Sequence, residues 1–272
     1  MIYYYTRLEQ ILETKKPSDK IEKFYQFYQQ YKNNNIKFEK SFKPKFFSEP
    51  SYSSTCQIIP PQDVPKRRNL TTKDGQIILL HAIIHIEYSA IDLALDAAYR
   101  FSNMPKEYYD DWLEVADDEI RHFNILNDLI EELGGKYGDL EVHNSLFEAS
   151  QKTQTLLERM AVVPRYLEAN GLDATPMILG KLKKLPKNEM IDKIIKALNI
   201  ILDEEIDHVK KGDNWFHYAC KKENISTDIY FEIINKYYPQ GFLRPKNLNI
   251  EARKVAGFSC SELNHMAHKT LC

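Results

Sequence analysis

Glu119-Ile120-Arg121-His122 and Glu205-Ile206-Asp207-His208 are two copies of Glu-x-x-His, each preceded by a further acidic pair, Asp117-Asp118 and Asp203-Glu204. On an α-helix a spacing of three puts the carboxylate and the imidazole on one face, one turn apart, so both can reach the same cation. Upstream of each copy lies a weaker echo, Glu-x-x-x-x-Asp, at Glu87 to Asp92 and at Glu168 to Asp173. Glu87 precedes Glu119 by 32 residues and Glu168 precedes Glu205 by 37, lengths that suit two helices folded back on each other. One Glu from each first helix and one Glu-x-x-His from each second helix is the ligand set of a four-helix bundle that holds two metal ions. The metal candidates are therefore Glu87, Glu119, His122, Glu168, Glu205 and His208.

Carboxylate and imidazole ligands without thiolates suit iron or manganese, and zinc less well. Four glutamates nearly balance two divalent charges, and glutamates that bridge would hold the ions close together. Two ions are expected, iron first, with Mn/Fe or manganese as the other choices. Asp118 and Glu204, next to the motif glutamates, are placed to accept the second ring N–H of a liganding histidine and fix its tautomer. His85 is a further candidate for this surrounding set, although His81 and His85 lie on another helix face from Glu87, where a structural role suits both. Tyr88 and Tyr166 flank ligand candidates and are oxidisable in principle. A single Glu-x-x-His is common as a surface pair. Two copies with matching neighbours, each inside an apolar stripe, are not.

The elements that must position these residues are long helices. The first is expected from about Thr72, with Thr71 or Thr72 as its cap, to about Phe101; Ile83, Ile84, Ile91, Ala94 and Ala98 share the face of Glu87. A carboxylate inside such a stripe needs a cation or a hydrogen-bonded partner, or else takes up a proton. The second helix starts near Pro105 and ends at Gly134-Gly135, with Trp112, Val115, Ala116, His122, Phe123, Leu126 and Ile130 around Glu119. A third is expected from Asn144 or Ser145 through Tyr166, with a kink or a restart at Pro164. Glu158 competes with Glu168 there; Glu168 matches the internal repeat and keeps the two spacings nearly equal, which leaves Glu158 to pair with Arg159 or Arg165. Gly171, Pro176, Gly180 and Pro186 are expected to punctuate a crossover to the fourth helix, about Asn188 to Lys222, whose stripe holds Ile194, Leu198, Ile201, Glu205, His208, Val209, Gly212 and Phe216.

Residues 1–70 and 225–272 carry no such signal and are expected to wrap residues 71–224. In the first segment, helices are expected over Tyr4 to Thr14 and after Pro17, with Ser18 or Asp19 as cap, followed by extended chain from Asn33 to Arg68. This segment has 13 Lys/Arg against 7 Asp/Glu, densest at Lys66-Arg67-Arg68, although the whole chain is near neutral at -2. A phosphate or nucleic-acid contact is the functional reading of that cluster, and solvated surface is the plain one. In the last segment a helix is expected near Ser226 to Lys236, and Ser259 with Glu262 reads as a capping box. Gly 9 and Pro 12 in 272 residues favour long helices over an all-β chain. Cys56, Cys220, Cys260 and Cys272 show no Cys-x-x-Cys spacing, so neither a zinc ribbon nor a disulfide framework is indicated and a reducing cytoplasm is expected. The start has no basic-then-apolar leader. The most apolar run, Ile77 to Ala90, is broken by His81, His85 and Glu87 and is too short to span a membrane.

At these residues the chain resembles the ferritin-like di-iron carboxylate superfamily, which binds two metals with Glu, Glu-x-x-His, Glu, Glu-x-x-His. Within it, the runs HIEYSAIDLALDAAYRF, DEIRHF, RMAVVPRYLEANGLDATP, DEEIDHVKKGDNWF and NIEARKVAGFS resemble a family catalogued as domain of unknown function 455. The resemblance spans about residue 70 to 262. It implies an all-α fold, a ferritin-like four-helix bundle with N- and C-terminal wrapping segments, a dinuclear centre and oxygen activation. The layout is similar to the tRNA hydroxylase branch. An oxidase or hydroxylase acting on a small-molecule substrate or on modified tRNA, fed by an electron-donor protein, is the reading this implies. A ferroxidase or iron-handling protein, and a non-catalytic protein that metal merely stabilises, are the alternatives. The aspartate that precedes the motif glutamate in some relatives stands as Asp118 in the first copy and is replaced by Glu204 in the second.

Overall fold

Apolar residues recurring at helical spacing over long stretches, with few glycines, leave the chain little choice but helices, and the computed structural model, which describes residues 2–272, is all-α apart from a few bridged pairs. Two compact units divide it, one ending at Phe147 and the other running from Glu148 to Cys272.

The first unit opens with β1 (Ile2–Tyr3), α1 (Tyr4–Leu12) and α2 (Pro17–Lys32); β1 pairs in parallel with β2 (Ile36–Lys37). α2 begins one residue before the expected caps. Pro17 takes the first helical position, where its fixed φ is an advantage and its missing N–H costs nothing, so Lys16 stands at the cap and Ser18 and Asp19 fall inside the first turn. Phe24, Phe27 and Tyr31 are buried on one face of α2, while Tyr25 is exposed.

α3 (Lys73–Arg100) and α4 (Lys106–Glu132) form the body of the unit. The Thr72 hydroxyl accepts from Gly75 N at 3.1 Å and caps α3. Thr72→Ala is expected to cost about 1 kcal/mol, read as a shift of the urea midpoint at unchanged slope. α4 ends in a Schellman turn, with Gly135 N donating to Ile130 O, Gly134 N to Glu131 O, and Gly134 at φ 71°. The two helices run antiparallel. The Tyr108 hydroxyl donates to Ala97 O near one end of the hairpin, His122 meets Glu87 in the middle, and a side chain on Gly135 would press on Ile77 near the other. All the residues expected on the Glu87 and Glu119 faces are buried. Among the described residues α3 alone is long and apolar enough to cross a membrane, and its apolar stretch is mostly buried inside the protein.

The second unit corrects the expected third helix. α5 (Ser145–Lys152) stops, and α6 (Leu156–Val162) restarts with the Thr155 hydroxyl accepting from Glu158 N at 3.2 Å. A π-helical turn follows over Val163–Glu168, and α7 (Ala169–Leu182) continues from it. Pro164 cannot donate a backbone hydrogen bond, and the wider π turn accommodates that loss without ending the helix. Gly171, Pro176 and Gly180 therefore lie within α7 and not in a crossover. Pro176 leaves the Leu172 carbonyl without its usual helical donor, and the Asn249 side-chain amide donates to that carbonyl at 3.3 Å. The turn before the next helix is confined to residues 183–188 and includes Pro186.

α8 (Glu189–Glu223) is capped by Asn188, whose side chain accepts from Met190 N and Ile191 N. Its Gly212 meets the π turn so closely that a Cβ there would stand 2.2 Å from Pro164 Cβ. Helix propensity alone would make Gly212→Ala stabilising by about 1 kcal/mol. Overpacking is expected to reverse the sign, costing about 1–3 kcal/mol in a denaturation experiment. α9 (Ile229–Tyr237), α10 (Ile250–Val255) and α11 (Cys260–Ala267) complete the unit. The Ser259–Glu262 capping box is present as expected; α10 was not, because its run of six residues is too short to show a period. Cys260 and Cys272 form a disulfide, contrary to the spacing-based reading, while Cys56 and Cys220 are free and buried.

Candidate metal centre

In the first unit α3 and α4 bring Glu87, Glu119 and His122 together. All three are buried, and each offers a ligand atom within 4.8 Å of the others. His122 Nδ1 lies 3.1 Å from Glu87 Oε2 and 3.5 Å from Glu119 Oε2. Two carboxylates thus address one ring nitrogen, on helices whose stripe residues Ile84, Ile91, Trp112 and Phe123 are buried as well. Burial pushes the Glu87 carboxyl up to about 7, with the Glu119 charge adding to it and His122 opposing it. Burial would lower His122, but the hydrogen bonds and charges of Glu119 and Glu87 outweigh it and hold the imidazole up at about 11. The three side chains therefore create a strong demand for positive charge at one buried point, met by a proton on His122 or by a cation that displaces it.

In the second unit α8 repeats the internal geometry. His208 is fully buried and its Nδ1 lies 3.6 Å from Glu205 Oε1, matching the 3.5 Å of the first copy. Glu168 is the last residue of the π turn and is half-buried. π turns recur at functional sites because they shift the register of every following side chain by one position. Glu158, the competitor, accepts from Lys236 Nζ and the Tyr237 hydroxyl, both at 2.7 Å. It does not pair with Arg159 or Arg165 as expected: Arg165 is bonded to Asp213 and Glu262, and Arg159 to Thr153 and the Ser150 carbonyl.

The surrounding residues divide. Asp118 is paired with Arg121 one turn along α4. Glu204 lies beside Glu205 on α8, half-buried. His85 uses both ring nitrogens elsewhere, Nδ1 with the Tyr137 hydroxyl at 3.1 Å and Nε2 with the His143 carbonyl at 2.7 Å, so it holds the loop after α4 in place instead of serving a liganding histidine. His81 does likewise, its Nε2 accepting from Gly138 N and Leu140 N. Tyr88 packs among Tyr52, Phe123 and Tyr137 with tilted or edge-on rings, and Tyr166 packs on Tyr238 and Phe242.

Two residues were noticed in the sequence only as part of an echo and were given no role. Asp92 and Asp173, the second members of the Glu-x-x-x-x-Asp echo, each hold a buried cation from a terminal segment. Lys20 of α2, fully buried, bonds Asp92, whose other oxygen accepts from the Ser51 hydroxyl at 2.6 Å. Arg253 of α10, equally buried, grips Asp173 through Nε and through one terminal nitrogen at 2.7 Å. A signal existed for Lys20: it falls on the face of Phe24, Phe27 and Tyr31, where a cation has no business without an acid.

The chain matches the model of a family described as "Protein of unknown function (DUF455)" over residues 13–264. It is 40% identical over 216 residues to a protein of Haemophilus influenzae described as "Uncharacterized protein", covering 76% of this chain and 73% of that one. No solved structure matches it.

Proposed function

The chain belongs to the DUF455 family, and on that premise we propose that it is a ferritin-like di-metal carboxylate protein that uses iron and dioxygen to oxidise or hydroxylate an organic substrate. The observation that carries the proposal is the doubled half-site: Glu119 with His122 and Glu205 with His208, at nearly the same separation, the first of them joined by a second buried carboxylate in Glu87. With Glu87, Glu119 and His122, the residues Glu168, Glu205 and His208 are the six proposed ligands for two ions. The donor types fit: hard carboxylate oxygens and imidazoles suit iron and manganese, and the acids supply the charge to hold two divalent cations. When bound, a pair of ferrous ions supplies the electrons that dioxygen needs. The chain's own part is to hold the ions in an apolar setting, to keep water out with the stripes around Glu87 and Glu119, and to give up protons as metal enters.

That last step has a sign. A cation that binds Glu87 and His122 displaces protons from groups held at about 7 and about 11, so loading at pH 7 is expected to release protons. Affinity should rise between pH 6 and pH 8 as Glu87 loses its proton unaided; a titration with ferrous or manganous ion in weak buffer with a pH indicator reads both. Uptake without proton release would place the metal elsewhere. Elemental analysis of protein purified without added metal tests the proposal directly: about two metal ions per chain, mostly iron, are expected, and a metal-free or single-zinc protein would sink it. Exposure of the anaerobically iron-loaded protein to oxygen should then oxidise the iron; iron that stays ferrous in air removes the oxygen chemistry and leaves the metal site.

A further inference from the structure

A second site lies in the first unit, on the side of α3 that carries His81 and His85. A cleft of about 100 Å³ is walled by apolar side chains, among them Ile78, Ile86 and Val142, and carries Arg67, Glu141 and His143 as polar groups beside His81 and His85. His81 and His85 are pushed down to about 4 by burial and stay neutral, His85 with both ring nitrogens bonded and His81 with Nε2 accepting from two backbone amides. His143 differs. Ser145 N donates to its Nδ1 at 3.4 Å, which leaves the ring proton on Nε2, so the neutral ring presents a donor. Burial first, and then the Arg67 charge, lower His143, which places the guanidinium and the imidazole in the same field. Arg67 has no carboxylate within ion-pair distance among the described residues, and Glu141 is the one acid lining the cleft.

We propose that this cleft binds a small organic anion, a carboxylate or phosphate head held between Arg67 and the His143 Nε2–H with its apolar body against Ile78, Ile86 and Val142. Two donors of the same polarity, one permanently charged, repel each other when His143 protonates, and an anion between them removes that repulsion. The apolar walls select against fully hydrated inorganic ions, and Glu141 selects against high charge. The cleft contains none of the six proposed metal ligands, so the site stands or falls independently of the metal centre.

The test uses the full chain labelled with ¹⁵N, following the imidazole nitrogens by NMR. Benzoate, phenyl phosphate and inorganic phosphate are titrated at constant ionic strength, with exposed His268 as the internal control. Saturable shifts of His143, absent from His268, are expected with benzoate or phenyl phosphate, and the tighter of the two identifies the head group. Arg67→Gln, a change at an exposed side chain, is expected to weaken the binding about tenfold or more, the size of one hydrogen bond to a charged group. The inference is overturned if neither organic probe gives a saturable His143 shift, if inorganic phosphate binds as tightly as phenyl phosphate, or if R67Q binds as the unaltered chain does.

Discussion

Glu119→Gln is expected to leave a folded protein that has lost its metal. Glutamine keeps the volume and removes the charge, and in this pocket charge is the point: Glu119 helps to hold His122 protonated and to keep Glu87 from ionising. Without it one ligand is gone and the remaining pair offers one fewer negative charge to a cation. Loss of even an outer partner of a metal ligand lowers affinity about 10–100-fold. Loss of the ligand itself should exceed that, and metal content by elemental analysis should fall well below two per chain. His208→Ala should behave alike if the second half-site belongs to the same centre. The informative control is the melting curve after chelation. Relieving the crowding of two buried carboxylates costs little, so E119Q and the unaltered chain should melt at about the same temperature once both are stripped of metal. A purely structural role would instead lower the melting temperature of the stripped variant. Full metal content in E119Q would remove Glu119 from the ligand set.

What could be read in the sequence follows from what repeats and what is long. The 27 and 28 residues of α4 and α3 show several turns of one apolar face, so their limits fall within a residue or two of the expected ones, and Thr72, Pro105 and Gly134 mark the ends. The convergence of Glu87, Glu119 and His122 was legible because all three lie on the inner faces of a hairpin whose spacing was countable. Beyond Ser145 the rules compete. Pro164 and Pro176 read locally as breaks, yet both lie in a continuing helical run, because the π turn accommodates one and the distant Asn249 side chain meets the carbonyl left by the other. No local pattern announces a partner 77 residues away in sequence. The Cys260–Cys272 bond escaped for a related reason, since its two ends are brought together only by the fold of the last segment.

The terminal segments themselves give the second large effect. Lys20→Met is expected to destabilise the chain by about 3–5 kcal/mol, because it leaves the Asp92 carboxylate, bonded otherwise through Ser51 alone among the described residues, without its cation. Burial lowers Lys20 and Asp92 raises it, so the ammonium depends on that single acid to remain charged inside the protein. Arg253→Met should act comparably on Asp173, with loss of the additional bond to the Ala169 carbonyl. Paired neutral replacements separate the ion pair from simple packing: K20M with Asp92→Asn should recover most of the loss, since two groups of similar shape without charge need no partner of opposite sign. Urea unfolding of the two single variants and the double one closes the cycle. If K20M costs less than about 1 kcal/mol, the pair behaves as an exposed one and the segment is held by its aromatic face alone. The expected outcome gives the Glu-x-x-x-x-Asp echo a meaning its first residue does not supply. Where Glu87 and Glu168 are proposed to face metal, Asp92 and Asp173 fasten α2 and α10 to the helical runs that bear those glutamates, so each repeat is proposed to carry one acid for the centre beside the one that holds a terminal segment.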